Sequence, residues 1–86
     1  MNFIKDIQFY IHATAKTTPP IDRSIINFYH LTIILKGKFT YFFDGQELTL
    51  EENDALLLCP GTDRERLCYN EYADYIIFNF SARWCF

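Results

Sequence analysis

The stretch Tyr29–Arg66, YHLTIILKGKFTYFFDGQELTLEENDALLLCPGTDRER, alternates short apolar runs with turn-forming residues. The run NFYHLTIILK, which begins at Asn27, is β-branched and apolar, the composition of a strand on a half-buried pleated surface. Lys36-Gly37 reads as a turn. KFTYFFD then sets Phe39, Tyr41 and Phe43 against Lys38, Thr40 and Phe42, and the two-residue period of a strand puts the first set on one face. Asp44-Gly45 is a type I′ hairpin signal, because both central residues of that turn need positive φ. QELTLEE alternates Leu48 and Leu50 with polar residues. Asn53-Asp54 turns the chain again, and Asn tolerates the left-handed conformation better than most residues. ALLLC is a short apolar strand that stops at Pro60-Gly61.

Outside this stretch the signals are similar. DIQFYIH is a first strand, and AKTTPP, with Pro19 and Pro20, is a loop, since two prolines exclude a strand or helix interior. ERLCY and DYIIFNF read as later strands, and the tail SARWCF fits either a further strand or the start of a helix. No segment holds a helical period. Seven or eight short strands with a turn every six to ten residues make an all-β sandwich or barrel. Hairpins in succession, with a late Pro-Gly corner, point to a jelly-roll barrel.

The chain has 86 residues, enough for one domain, and half of them are apolar. Nine Phe, six Tyr and one Trp are more aromatics than so small a core needs, which leaves some for a pocket or an interface. Eight Lys and Arg are scattered against eleven Asp and Glu, a net charge of −3, so the segment lacks the basic stripe of a nucleic-acid surface. No apolar run approaches the roughly 20 residues that span a bilayer as a helix. Lys5, Asp6 and Gln8 interrupt the N-terminal apolar residues, unlike a signal peptide. Cys59, Cys68 and Cys85 are odd in number and lack a C-x-x-C pair, against a disulfide framework or a structural zinc site. They read as small apolar fillers in a reducing, cytoplasmic setting.

From Arg23 to Phe80 the ordered features resemble the cupin-type N-terminal effector-binding domain of AraC-family transcription regulators. IDR (residues 21–23) precedes the first core strand. An apolar strand closes on Lys36-Gly37 and an aromatic strand on Asp44-Gly45. LTLEENDALLLCPGT, Leu48 to Thr62, is similar to a family segment that carries Gly-Asp before its strand and a Pro-Gly corner after it, and DYIIFNF is similar to the closing strand. Asn53 stands where the family usually has Gly, Cys59 where Pro is common, and Arg64 where many members have His. The resemblance implies a small cupin-like barrel as one domain, with an N-terminal strand or arm and Pro loop over residues 1–20 and a barrel core over 21–80. The family's helix-turn-helix domain is expected to lie outside this chain, which ends at Phe86.

A metal-binding cupin would need an H-x-H pair, a Glu a few residues on, and a third His after the Pro-Gly corner. His30 stands at the Glu position. Arg23, Ser24, Ile25 and Ile26 lie where the His pair would be, and Arg64, which cannot ligate, stands at the third position. His12 has no partner nearby in sequence. The expectation is a barrel with no metal and no cofactor. No nucleophile elbow or phosphate loop is present, and Glu51 and Glu52 read as a solvated turn, so the chain is not expected to be an enzyme.

The resemblance implies a small-molecule effector, with a sugar as one option. Arg23 matches the place of an arginine that contacts the sugar in the family's arabinose-responsive member, and guanidinium offers a fixed fork of donors for hydroxyls or a carboxylate. His30 and Thr32 share a face with Ile34, Tyr41 points inward with Phe39 and Phe43, and Tyr75 lies on the closing strand with Ile77. Arg23, His30, Thr32, Tyr41 and Tyr75 are therefore the expected ligand-binding residues. Arg64, after a Pro-Gly corner, is expected in solvent. Phe42, Trp84 and Phe86 are expected on an outer apolar patch that supports a homodimer. The other readings left open are a small cupin enzyme and an interaction module whose barrel is filled by its own aromatics.

Overall fold

The computed structural model describes residues 3–16, 20–66 and 71–83. Among these the chain is all-β, with seven strands: β1 (Phe3–Ala15), β2 (Ile21–Ile25), β3 (Tyr29–Phe43), β4 (Gln46–Glu51), β5 (Ala55–Leu58), β6 (Asp63–Arg66) and β7 (Ala73–Arg83). All pairings are antiparallel. The strand order runs β1-β7-β3-β6-β2, with β4 and β5 also paired to β3. The result is the curled two-layer sheet of a cupin-like barrel.

Strand β3 makes the curl. Its first half, Tyr29 to Gly37, lies between β7 and β5, and its second half pairs with β4 and, at its end, with β6. One strand therefore belongs to both layers. The switch falls at Lys36-Gly37, where the sequence reads as a turn. The structure instead has a register shift between Ile34 and Lys36 and a Gly37 with φ of 81°. A bulge of this kind bends a strand without ending it. It also changes the parity of the inner face. Before the bend His30, Thr32 and Ile34 are buried, whereas after it Phe39 and Tyr41 are. Only Gly fits at the bend, since a Cβ on Gly37 would overlap the carbonyl of Tyr72.

The turns follow local chemistry. Asp44 and Gly45 both have positive φ, as the hairpin between β3 and β4 requires. Asn53, at φ 71°, takes the left-handed role, and its turn docks on β3 through Asn53 N–H to Ile34 O and Ile34 N–H to Asp54 O, both 2.9 Å. The Pro60-Gly61 corner is tied to the end of β2 by Gly61 N–H to Ile26 O at 2.8 Å. Of ERLCY, Glu65 and Arg66 are strand, and the rest of that run lies outside the described residues, as do residues 17–19 of AKTTPP and the tail from Trp84. The core packs Ile34, Phe39, Tyr41, Leu50, Ala73, Tyr75 and Ile77. Phe39 sits edge-on to Tyr75 at 4.9 Å between ring centroids, a favourable aromatic geometry.

Candidate functional site

The layers part beside this core. A half-open cavity of about 300 Å³ is walled on one side by His30 of β3, by Tyr75, Ile77 and Asn79 of β7, and by Phe9 and Ile11 of β1. The opposite wall is Ile21 of β2 with Arg64 and Arg66 of β6. Strands β1 and β2 are the two ends of the strand order, so each contributes from a free edge. The cavity volume lies at the small end of the roughly 300–1,000 Å³ of ligand pockets.

The polar floor is a network around His30. Asn79 Oδ1 is 2.6 Å from His30 Nδ1 and accepts its proton. That leaves Nε2 as the acceptor, with the Tyr41 hydroxyl at 2.9 Å as donor. The Tyr41 oxygen in turn accepts from the Thr32 hydroxyl at 2.9 Å and from Arg66 Nη1 at 3.1 Å. Burial pushes the His30 imidazole down to about 4, against a smaller upward pull from Asn79, and the nearby charges of Arg64 and Arg66 add to the drop. The ring is therefore neutral at pH 7. Burial likewise pushes the Tyr41 phenol up, so it stays protonated and can donate.

Arg64 and Arg66 face inward two residues apart, as the pleat requires. They are 8% and 6% exposed. Arg66 stacks over Phe39 at 4.7 Å and over Tyr41 at 5.5 Å. Arg64 lies over Phe28 at 5.6 Å, and its Nη1 is 3.2 Å from His30 Nδ1. That nitrogen already spends its proton on Asn79 and has no lone pair for a second donor. Arg64 Nε is buried with no hydrogen-bond partner. Burial pushes the Arg64 guanidinium below its ordinary value and the Arg66 charge adds to this, while Tyr41 acts in the opposite sense. An arginine remains charged under such a shift.

The expected site residues divide. His30 and Tyr75 line the cavity. Thr32 and Tyr41 join the network beneath it but are fully buried and do not reach its surface. Arg23 points the other way. It pairs with both carboxylate oxygens of Asp63, through Nε to Oδ1 at 3.2 Å and to Oδ2 at 2.9 Å and through Nη2 to Oδ2 at 2.7 Å, and its side chain is 73% exposed. It lines a separate groove on the outer face with Phe42, Phe43, Gly45, Asp63 and Glu65. The expectation of a solvated Arg64 is corrected: β6 starts directly after the corner and turns that side chain inward. Arg66 and Asn79 were not singled out from the sequence. A usable signal was present in DRER (residues 63–66), where bases and acids alternate, so a strand with one buried face must bury one set or the other.

Among the described residues no three His, Cys, Asp or Glu side chains are grouped so as to hold a metal ion. His12 is engaged instead by Asp74 at 3.0 Å on the outside.

Residues 7–63 match the AraC-like ligand binding domain. The chain belongs to this family. No curated protein matches it by sequence. Solved structures share the fold at low identity. A protein assigned as a mannose-6-phosphate isomerase from Ralstonia eutropha superposes with a TM-score of 0.67 at 8% identity, covering 94% of this chain and 85% of its own. A Neisseria meningitidis protein gives 0.59 at 13% identity, covering 94% and 84%. The EutQ protein of Clostridium difficile gives 0.57 at 15% identity, covering 85% of this AraC-like domain and 52% of EutQ.

Proposed function

We propose that this AraC-like domain is the effector-sensing part of a transcription regulator and binds a small molecule between its two layers. The observation that carries the reading is the cavity, apolar on the β1–β7 side and cationic on the β6 side, in a chain of this family. Binding there would join β1 and β2, the two ends of the strand order, and so favour one placement of the N-terminal strand over others. A catalytic role is disfavoured because both His30 nitrogens are engaged, leaving no free base among the described residues that line the cavity. Association into a homodimer is part of the reading. Edge strand β1 exposes Ile4, Ile7 and Tyr10, the kind of apolar edge that a second strand covers. Trp84 and Phe86 of the expected patch lie outside the described residues. DNA contact would belong to other parts of such a regulator, and a cytoplasmic setting follows from that role.

The test is a thermal-shift screen of sugars, organic acids and amino acids against the wild type and Ile77→Phe. Ile77 lines the cavity, so the larger ring fills it, at a cost of about 1–3 kcal/mol in strain. At least one compound should raise the melting temperature of the wild type and leave the filled variant unmoved. An equal response in both proteins would place the ligand elsewhere.

A further inference from the structure

The charge of Arg64 is the least satisfied feature of the interior. None of the chain's eleven Asp and Glu side chains pairs with it, although all eleven lie in described residues. Its Nε has no partner and its Nη1 meets the occupied Nδ1 of His30. A buried cation left in this state is costly, and proteins retain one only where something answers it. Water, a neutral ligand or an anion could each supply acceptors. Only an anion also supplies the missing charge, and Arg66 beside it strengthens the same positive field. His30, held neutral, competes with neither.

The rest of the lining sets the shape of the ligand. Phe9, Ile11, Tyr75 and Ile77 form a continuous apolar side opposite the arginines. Such a wall gains by covering hydrocarbon and loses by covering hydroxyls. From the unanswered fork of Arg64 and this facing wall, we infer that the cavity takes a small organic monocarboxylate with an apolar body, its carboxylate on Arg64 and its hydrocarbon against β1 and β7. The planar fork of a guanidinium matches a carboxylate through two parallel hydrogen bonds. This inference rests on the effector-binding reading and narrows it to one class of ligand.

The test uses hexanoate and 3-phenylpropanoate, each beside its primary amide, which keeps the shape and removes the charge. Glucose, arabinose and inorganic phosphate complete the set. Calorimetry should show binding of at least one carboxylate and at least about tenfold weaker binding of its amide, the loss expected for a charge-assisted contact. Arg64→Met should lose that carboxylate affinity by a similar factor. It should also melt without ligand at the same temperature as the wild type or higher, because an apolar side chain of similar length replaces an unanswered charge. A third readout follows from proximity. The His30 ring resonances should titrate at higher pH with the carboxylate bound, since an anion beside the ring favours its protonated form. Sugar binding without carboxylate binding would overturn the inference and leave the effector reading standing. Phosphate binding tighter than either carboxylate would overturn it in the same way. Equal binding of acid and amide, or a large fall in the melting temperature of ligand-free Arg64→Met, would make Arg64 a structural residue. No binding by any probe class would count against both readings.

Discussion

Asp63 and Arg64 are neighbours on β6 yet sit in opposite electrostatic worlds. On the outer face Asp63 meets Arg23 in a hydrated pair. The pairing holds the Asp63 carboxyl below its ordinary value and raises the Arg23 guanidinium, in each case chiefly through their shared hydrogen bonds. On the inner face Arg64 is buried and its Nε unanswered. A charge that water can hydrate gains little from a partner, whereas one cut off from water depends on it. The matched outer pair is therefore a modest contribution to the fold, and the inner charge is the one whose cost depends on what meets it.

The largest effect expected from this contrast is a dependence of stability on pH. His30 titrates near 4 when folded and near its ordinary 6.5 when unfolded. The unfolded chain therefore binds the extra proton first, so the contribution is full above pH 6.5 and is lost as the pH falls from 6.5 through 4. The loss is about 3 kcal/mol, at about 1.4 kcal/mol for each tenfold difference in proton affinity between the two states. Urea denaturation across that range measures it. His30→Gln should flatten the slope, and a slope that is unchanged in the variant would assign the acid sensitivity to the outer carboxylates.

Removing the hydroxyl at the centre of the network comes next. Tyr41→Phe removes the hydroxyl that His30 Nε2, Thr32 and Arg66 share, and leaves the Thr32 hydroxyl, 3.1 Å from His30 Nε2, as the donor that can take over at the ring. The expected cost is about 2 kcal/mol, the scale of a buried polar group left unsatisfied. Chemical denaturation at pH 7 gives the value, and a near-zero change would mean that water takes the place of the hydroxyl.

The smallest effect belongs to the outer face. Arg23→Ala should change the melting temperature only marginally, and should leave small-molecule affinity in the cavity untouched, because the side chain faces away from it. A reduced affinity in calorimetry would carry the site over to the outer groove.

Much of this architecture is legible in the sequence because turns and pleats are local. Asp44-Gly45, Asn53-Asp54 and Pro60-Gly61 announce their corners, and alternation alone puts His30, Thr32 and Ile34 on one face and Phe39 with Tyr41 on another. Gly37 is the exception. Its positive φ is readable, but whether it ends a strand or bends one depends on Tyr72, 35 positions away in the chain, which packs where a side chain would be. The site is less legible for the same reason. Arg64 reads as solvated because charge is normally exposed, and its burial follows from β6 being covered by the opposite layer. Arg23 reads as a contact by its place at the end of IDR, whereas β2 turns it toward Asp63 on the outside.

Isoleucine methyl groups on the two faces offer the most direct measurement. Ile11 and Ile77 line the cavity, while Ile25 is 71% exposed on the outside of β2. In a methyl-labelled sample titrated with hexanoate, the resonances of Ile11 and Ile77 should move together and saturably while that of Ile25 stays fixed. Movement of Ile25 with Ile11 and Ile77 unmoved would contradict a binding site between the layers.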